Sequence, residues 1–111
     1  MNTSGTRALN NQLCLRIARE LRRKPLGFND IQRAVKAPHP PILSARLKAM
    51  MRDGLVTREV ISLGPPASIR YHLTDLGRQL AEPATALINW IDTHVDEVEI
   101  SRAKYAASAT T

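Results

Sequence analysis

The stretch from Gly27 to Gly54, GFNDIQRAVKAPHPPILSARLKAMMRDG, decides the fold. It predicts two short helices, the first beginning near Asn29 and the second covering about residues 41–52. The segment between them, APHP at residues 37–40, contains two prolines. A proline lacks an amide donor and disfavours helical geometry in the residue before it, so the first helix must end there. A short helix, a turn and a second helix together indicate a DNA-binding helix-turn-helix.

The second helix has two chemically different faces. Leu43, Leu47 and Met50 recur at the spacing of one helical stripe and predict the buried side. The opposite face is small, polar or basic, and it consists of Pro41, Ser44, Ala45, Lys48 and Arg52. Pro41 can occupy an early helical position, where a missing N–H costs nothing. Gly54 follows the helix at a position that often adopts a left-handed conformation.

Charge is distributed unevenly along the chain, whose overall net charge is +6. Residues 1–73 contain thirteen Lys or Arg and four Asp or Glu, a net charge of +9. Residues 74–111 contain three Lys or Arg and six Asp or Glu, a net charge of −3. The basic part coincides with the predicted helix-turn-helix, as expected for a face that binds phosphates. The alternative is a solvated basic surface with no partner. The overlap of the basic part with the predicted helix-turn-helix favours nucleic acid as the partner.

The length of 111 residues predicts a single domain. We expect residues 1–7 and 101–111 to be flexible and residues 75–100 to form a C-terminal dimerisation helix. No run approaches the ~18 apolar residues of a membrane span, and the N-terminus lacks the apolar region of a signal peptide. These features predict a soluble, cytoplasmic protein with no membrane partner.

An amphipathic first helix is predicted from about Ala8 to Lys24. Its apolar residues recur at steps of four, and they are Leu9, Leu13, Ile17 and Leu21. Its solvent face carries Arg16, Arg19, Arg22 and Arg23. Cys14 lies beside the apolar stripe, and as a single cysteine it excludes an internal disulfide. We expect it to pack as a small hydrophobe, the alternative being a thiol sensor activated by nearby cations.

A β-hairpin is predicted after the second helix of the motif. Residues 55–63 are rich in β-branched side chains, residues 69–73 alternate apolar and polar side chains, and a Gly/Pro loop separates the two runs. A hairpin in this position is a wing. Arg58 and Arg70 on its two strands are candidates for phosphate contact, and the alternative for each is a solvent-facing strand arginine.

The last long helix is predicted to begin after Thr74, a good N-cap residue. Pro83 lies inside the helical pattern and is expected to kink or break the helix. Beyond Pro83 a second apolar stripe exceeds what one small subunit needs for its core, so we expect a second copy of the chain to bury it. The residues of this expected dimer interface are Leu87, Ile88, Trp90, Ile91 and Val95.

Several segments occur in a characteristic order along the chain. They are Arg19-Glu20-Leu21, PLGFNDI at 25–31, LSARL at 43–47, DGLV at 53–56, YHLTDLGR at 71–78 and Trp90. In this order they resemble the HxlR-type winged helix-turn-helix transcriptional regulators of bacteria and archaea, relatives of the MarR group. The resemblance covers roughly residues 13–95. Leu13 stands where the family has a tryptophan, and Cys14 does not match the usual cysteine position, so redox sensing is not carried over.

The resemblance implies a mainly α fold with a small β-hairpin wing. It implies a homodimeric regulator with helix 41–52 in the major groove and wing 55–73 on the backbone or minor groove, and the dimer predicts an inverted-repeat operator. By matching position, the DNA-facing residues are His39, Pro40, Pro41, Ser44, Ala45, Arg46 and Lys48. Arg52, Arg58, Ser68 and Arg70 complete the expected DNA-binding set. Arg46 lies off the centre of the polar stripe, and a structural or phosphate-binding role is its alternative.

Two other classes of function fit the sequence less well. A winged-helix module that binds protein without specific DNA binding is the main alternative, and the basic N-terminal part argues against it. Catalysis is not expected, because His39, His72 and His94 are far apart and no Gly-rich phosphate loop or nucleophile elbow occurs. The sequence therefore predicts no metal and no cofactor. It predicts double-stranded DNA and a second copy of the chain as partners, and names no small-molecule effector.

Overall fold

The computed structural model describes residues 4–37 and 39–109. Its elements are α1 (Ser4–Arg23), α2 (Phe28–Val35), α3 (Pro40–Arg52), β1 (Val56–Ser62), β2 (Ser68–Leu73) and α4 (Asp75–Ala109). This is the predicted order of three helices, one hairpin and a long helix, so the winged helix-turn-helix fold is confirmed. Pro38, in the predicted turn, lies outside the described residues.

The turn of the helix-turn-helix is built from a left-handed residue and two prolines. Lys36 ends α2 with φ 55°, and the N–H of the next residue, Ala37, bonds back to the Gln32 carbonyl oxygen at 3.2 Å. Pro40 and Pro41 then occupy the first turn of α3, where an amide donor would have no helical partner. The prolines therefore set where α3 begins without costing it a hydrogen bond.

The core lies between α1, α3 and the first half of α4. Ile17 and Leu21 of α1 are buried at its centre, and α3 contributes Leu43, Leu47 and Met50, as the predicted stripe requires. The helices α1 and α4 form the most extensive contact between any two elements of the described chain. The remaining buried members are Ala18, Ile31, Val35, Val56, Leu73, Ala81 and Ala84.

The wing is an antiparallel pair of strands. Val56 pairs with Leu73 at its base, and the register shifts between Val60 and Ser62, which marks a bulge near the tip. Leu26 adds a single-residue bridge to Tyr71, and the two residues exchange backbone hydrogen bonds of 3.3 and 2.8 Å. The segment before α2 thereby attaches the hairpin to the helical body.

The start of α4 is tied to the end of α3. The Gly77 N–H donates to Thr74 Oγ1 at 3.0 Å, which confirms Thr74 as the N-cap. The Thr74 hydroxyl donates to the Gly54 carbonyl oxygen at 2.6 Å, and the Thr74 N–H donates to the Leu55 carbonyl oxygen at 3.0 Å. Gly54 adopts φ 80°, as predicted for the residue that follows α3.

Helix α4 is continuous from Asp75 to Ala109, so the expected break at Pro83 is wrong. Pro83 and Gln79 are both exposed, so solvent can bond the Gln79 carbonyl that lacks its usual N–H partner. Buried Ala81 and Ala84 hold the helix against the core on either side of the proline.

Residues 4–7 and 101–109, expected to be flexible, belong to α1 and α4. Among the described residues, no helix combines the length and apolar character that a membrane crossing requires.

The close approach of α4 to the end of α3 depends on a glycine. A Cβ on Gly77 would lie 2.0 Å from the Leu55 carbonyl oxygen and 3.0 Å from Leu73 Cδ2. We expect Gly77→Ala to lower the free energy of unfolding by about 2–3 kcal/mol, because overpacking against backbone cannot relax cheaply. Urea denaturation measures the difference.

The matched control is Gly64→Ala in the wing loop, where the nearest heavy atom to a new Cβ is Ser62 Oγ at 3.9 Å. This change should stay within about 0.5 kcal/mol of the wild type. Equal destabilisation by the two substitutions would contradict the proposed steric role of Gly77.

Candidate nucleic-acid interface

Helix α3 presents one exposed stripe to solvent. Pro41, Ala45, Lys48 and Arg52 follow one another at steps of four, three and four residues, and all four are exposed. The opposite side of the helix is buried in the core. The stripe combines small apolar surface with two cationic side chains, which can approach a groove and its phosphates together.

The residues beside this stripe differ in accessibility. His39 and Pro40 at the start of α3 are exposed, and Ser44 is half-buried. Ile42, which the sequence reasoning missed, is exposed and adds apolar surface next to Pro41. Its position next to Pro41 in the sequence was the available signal.

Arg46 points away from the exposed stripe. It is half-buried, and its Nη1 donates to Cys14 Sγ in α1 at 3.7 Å. The guanidinium thus connects α3 to α1, which matches the structural alternative for this arginine.

Cys14 is half-buried and packs against the hydrophobic core. Burial raises the pKa of its thiol above the ordinary value of 9.0, although the hydrogen bond and the charge of Arg46 act in the opposite direction. The thiol is therefore protonated at neutral pH. Since the thiolate is the reactive form, this environment favours the packing role for Cys14.

The two wing arginines do not share a surface. Arg58 pairs with Tyr71, whereas Arg70 pairs with Glu59, the neighbour of Arg58. Because successive strand residues point to opposite faces, Arg58 and Arg70 project from opposite sides of the hairpin. Both are exposed, and Ser68 at the start of β2 is half-buried.

Two of the arginines expected on the solvent face of α1, Arg16 and Arg19, are directed at α4, whereas Arg22 and Arg23 are exposed as expected. Arg16 donates two hydrogen bonds to Asp92, at 3.2 and 2.9 Å. Arg19 donates to Asn89 Oδ1 at 3.1 Å and lies 3.5 Å from the Asp92 carboxylate. The acidic residues of α4 attract these cations because the two helices pack side by side. Arg16 and Arg19 are thus partly neutralised within the subunit.

The C-terminal helix carries an exposed apolar surface, with one correction to its expected members. Ile88 is 0% exposed, because it faces α1, so it is not available to a partner subunit. Leu87, Trp90 and Val95 are exposed, and Ile91 is half-buried. These four residues define the α4 apolar surface.

This apolar surface extends further than the sequence reasoning expected. Val98 and Tyr105 are exposed and follow Ile91 at steps of seven residues, so they continue along the same side of α4. The periodicity was visible in the sequence.

Three helices, a wing and an exposed stripe on the second helix of the motif define a winged helix-turn-helix protein. Residues 8–99 match the family model described as HxlR-like helix-turn-helix. The chain belongs to this family, and the resemblance seen in the sequence is confirmed.

Individual relatives support the same assignment. The chain is 34% identical over 80 residues to YtfH, an uncharacterized HTH-type transcriptional regulator of Escherichia coli (strain K12), covering 72% of this chain and 63% of YtfH. It is also 35% identical over 69 residues to YvaP of Bacillus subtilis (strain 168), likewise named an uncharacterized HTH-type transcriptional regulator. That match covers 62% of this chain and 63% of YvaP. The chain thus spans slightly less than two thirds of the length of these curated relatives.

A solved structure agrees with the fold. The ytfH protein from Salmonella typhimurium superposes with a TM-score of 0.71 at 28% identity, covering 80% of this chain and 79% of that one.

The bond between α1 and α4 should depend on pH. The hydrogen bonds from Arg16 are the main reason that the pKa of Asp92 lies below its ordinary value of 3.8. Asp92 is exposed and Arg16 is half-buried, so solvent screens the pair, and we expect Asp92→Asn to lower the free energy of unfolding by no more than about 1 kcal/mol at neutral pH. A carboxylate with a lowered folded-state pKa contributes its full stability above the unfolded-state pKa, and loses it as pH falls through the folded-state pKa.

The free energies of unfolding of wild type and Asp92→Asn, measured by urea denaturation, should therefore differ at about pH 7, and the difference should shrink as the pH falls below 3.8. Asp96→Asn, an exposed carboxylate on the same helix, is the matched control and should have a smaller effect. An Asp92→Asn difference that persists undiminished at about pH 2 would contradict the assigned role of Arg16.

Proposed function

We propose that this protein is a transcriptional regulator that binds double-stranded DNA as a homodimer. Helix α3 enters the major groove, and the wing contacts the backbone or the minor groove beside it. The operator is an inverted repeat, because a two-fold dimer presents two copies of the same helix. Membership of the HxlR-like family and the names of the relatives support the assignment to transcription regulation.

The observation that carries the proposal is the exposed stripe of α3. Lys48 and Arg52 can neutralise phosphates, which supplies affinity without sequence preference. Within the stripe, Pro41 and Ala45 offer only apolar contact, for instance with a thymine methyl group, and beside the stripe the half-buried Ser44 can hydrogen-bond a base edge. A stripe with these members fits a groove with charged walls better than it fits an apolar protein surface.

The α4 apolar surface supports the homodimer. Burying a leucine or isoleucine side chain is worth about 1.5–3 kcal/mol relative to leaving it in water, and contiguous exposed patches of this kind are uncommon in monomers. A two-fold interface uses each such contact twice. The resulting dimer places the two α3 helices about 34 Å apart, one turn of DNA.

The experiment that tests the proposed function is selection of bound duplexes from a random pool by the full chain, followed by sequencing. Recovery of an inverted repeat supports the proposal. The affinity for the recovered duplex is then measured at several salt concentrations, because phosphate neutralisation makes binding fall steeply with salt. Retention that does not change between about 50 and about 200 mM salt would favour the protein-interaction module instead.

Substitution of Lys48 should change the electrostatic part of binding. We expect Lys48→Ala to weaken binding to all duplexes to a similar extent, and to reduce the slope of log K against log salt by about one unit, because one phosphate contact is lost. Lys104→Ala removes an exposed lysine from the far part of α4 and is the matched control. Equal effects of the two substitutions on affinity and slope would argue against DNA contact by α3.

Substitution on the α4 apolar surface should disrupt the dimer. Leu87 is 48% exposed, so we expect Leu87→Asp to fold normally but to sediment as a monomer and to bind the inverted repeat less tightly. Ile100→Asp is the control, because Ile100 is 56% exposed on the same helix but lies on roughly the opposite side, thirteen residues further on. A Leu87→Asp protein that remains dimeric and keeps its affinity would place the subunit contact elsewhere.

A further inference from the structure

The tip of the wing is apolar and carries no charge. Residues 61–68, ISLGPPAS, contain no Lys, Arg, Asp or Glu. Leu63 is 87% exposed, and Val60 and Ile61 are also exposed. The tip therefore offers apolar contact and no charge that could bind a phosphate.

Cations are present instead on both faces of the hairpin, behind the tip. The strand pairing places Arg58 on one face and Arg70 on the other, and both are exposed. Two cations on opposite faces cannot lie against one flat surface. They fit a groove that the hairpin enters end-on, because such a groove has a phosphate backbone on each side.

The dimensions of the hairpin agree with this arrangement. Ser62 ends β1 four residues beyond Arg58, and Ser68 begins β2 two residues before Arg70. At about 3.3 Å per residue, the loop starts roughly 13 Å beyond Arg58 and roughly 7 Å beyond Arg70. The minor groove of B-DNA is about 7.5 Å deep. With the start of the loop at the groove floor, Arg70 therefore lies near the rim, whereas Arg58 lies roughly 6 Å outside the groove and must extend its side chain toward the tip to reach a phosphate.

We infer that Leu63 is an apolar wedge that enters the minor groove of the operator and partly unstacks a base step. The inference rests on the proposed DNA binding and adds a second activity to it, the bending of the bound duplex. Two paired strands are about 4.8 Å apart before side chains are counted, whereas the minor groove is about 6 Å wide, so entry of the tip requires the groove to open. Apolar wedges open it by unstacking bases, which kinks DNA by about 20–90° toward the major groove.

The probe is the duplex recovered by selection with the full chain, used in two forms. Circularly permuted fragments report the bend angle by gel mobility. Duplexes with 2-aminopurine placed step by step beside the recovered repeats report unstacking as a local increase in fluorescence. For the wild type we expect a bend of at least about 20° and a fluorescence increase confined to one step in each half-site.

Variants separate the wedge from binding itself. Leu63→Ser should abolish most of the bend and the fluorescence increase while the protein still binds the duplex, because the α3 contacts remain. Leu76→Ser removes a 52% exposed leucine at the start of α4 and should leave bend, fluorescence and affinity unchanged. Leu63→Lys adds a cation at the tip and should also lose the bend, although it can gain affinity at low salt.

Each outcome decides between explanations. A wild-type complex with a straight, fully stacked duplex, or a bend that Leu63→Ser leaves intact, overturns the wedge but not DNA binding. A wing tip that instead contacts a protein gives the straight duplex. Failure of the wild type to retain any duplex in a salt-dependent manner overturns the proposed function, and the wedge with it.

Discussion

The contact between the Gly77 backbone and the Leu55 carbonyl oxygen sets the geometry of this molecule. It brings the start of α4 directly against Leu55, in the short segment between α3 and β1, and Thr74 bonds to both Gly54 and Leu55 of the same segment. Because the wing leaves α3 and enters α4 at this contact, the hairpin, α3 and α4 form one connected unit. A Cβ at Gly77 would clash with the Leu55 carbonyl oxygen, so these segments could not pack as closely as they do.

Electrostatic pairing then determines which cations remain available. The basic N-terminal half suggested a broad phosphate-binding face, but Arg16 and Arg19 bond to the acidic side of α4. The cations that face outward near α3 include Lys48 and Arg52. The side chains that the packing leaves exposed therefore indicate the binding partner better than the net charge of the chain does. Part of the acidic charge of α4 serves to hold α1 in place.

The exposed apolar side chains fall into separate regions with different chemistry. The α4 apolar surface continues along one side of a long helix, which suits burial against an equivalent helix of a second copy. The wing tip is a small projection between two arginines, a shape that suits a narrow charged groove. The two proposals are compatible, since a dimer formed through α4 leaves the wings free to reach DNA.

The sequence by itself determined most of the features that depend on near neighbours along the chain. The buried stripe of α3, the turn before it, the hairpin and the Thr74 cap were all predicted, because helical period, proline geometry and capping act within a few residues. The tertiary structure alone decided which surfaces remain exposed. The burial of Ile88, the bond from Arg46 to Cys14 and the continuity of α4 through Pro83 depend on helices far apart in sequence. Such contacts arise from packing that no local pattern encodes, and they determine which residues can meet a partner.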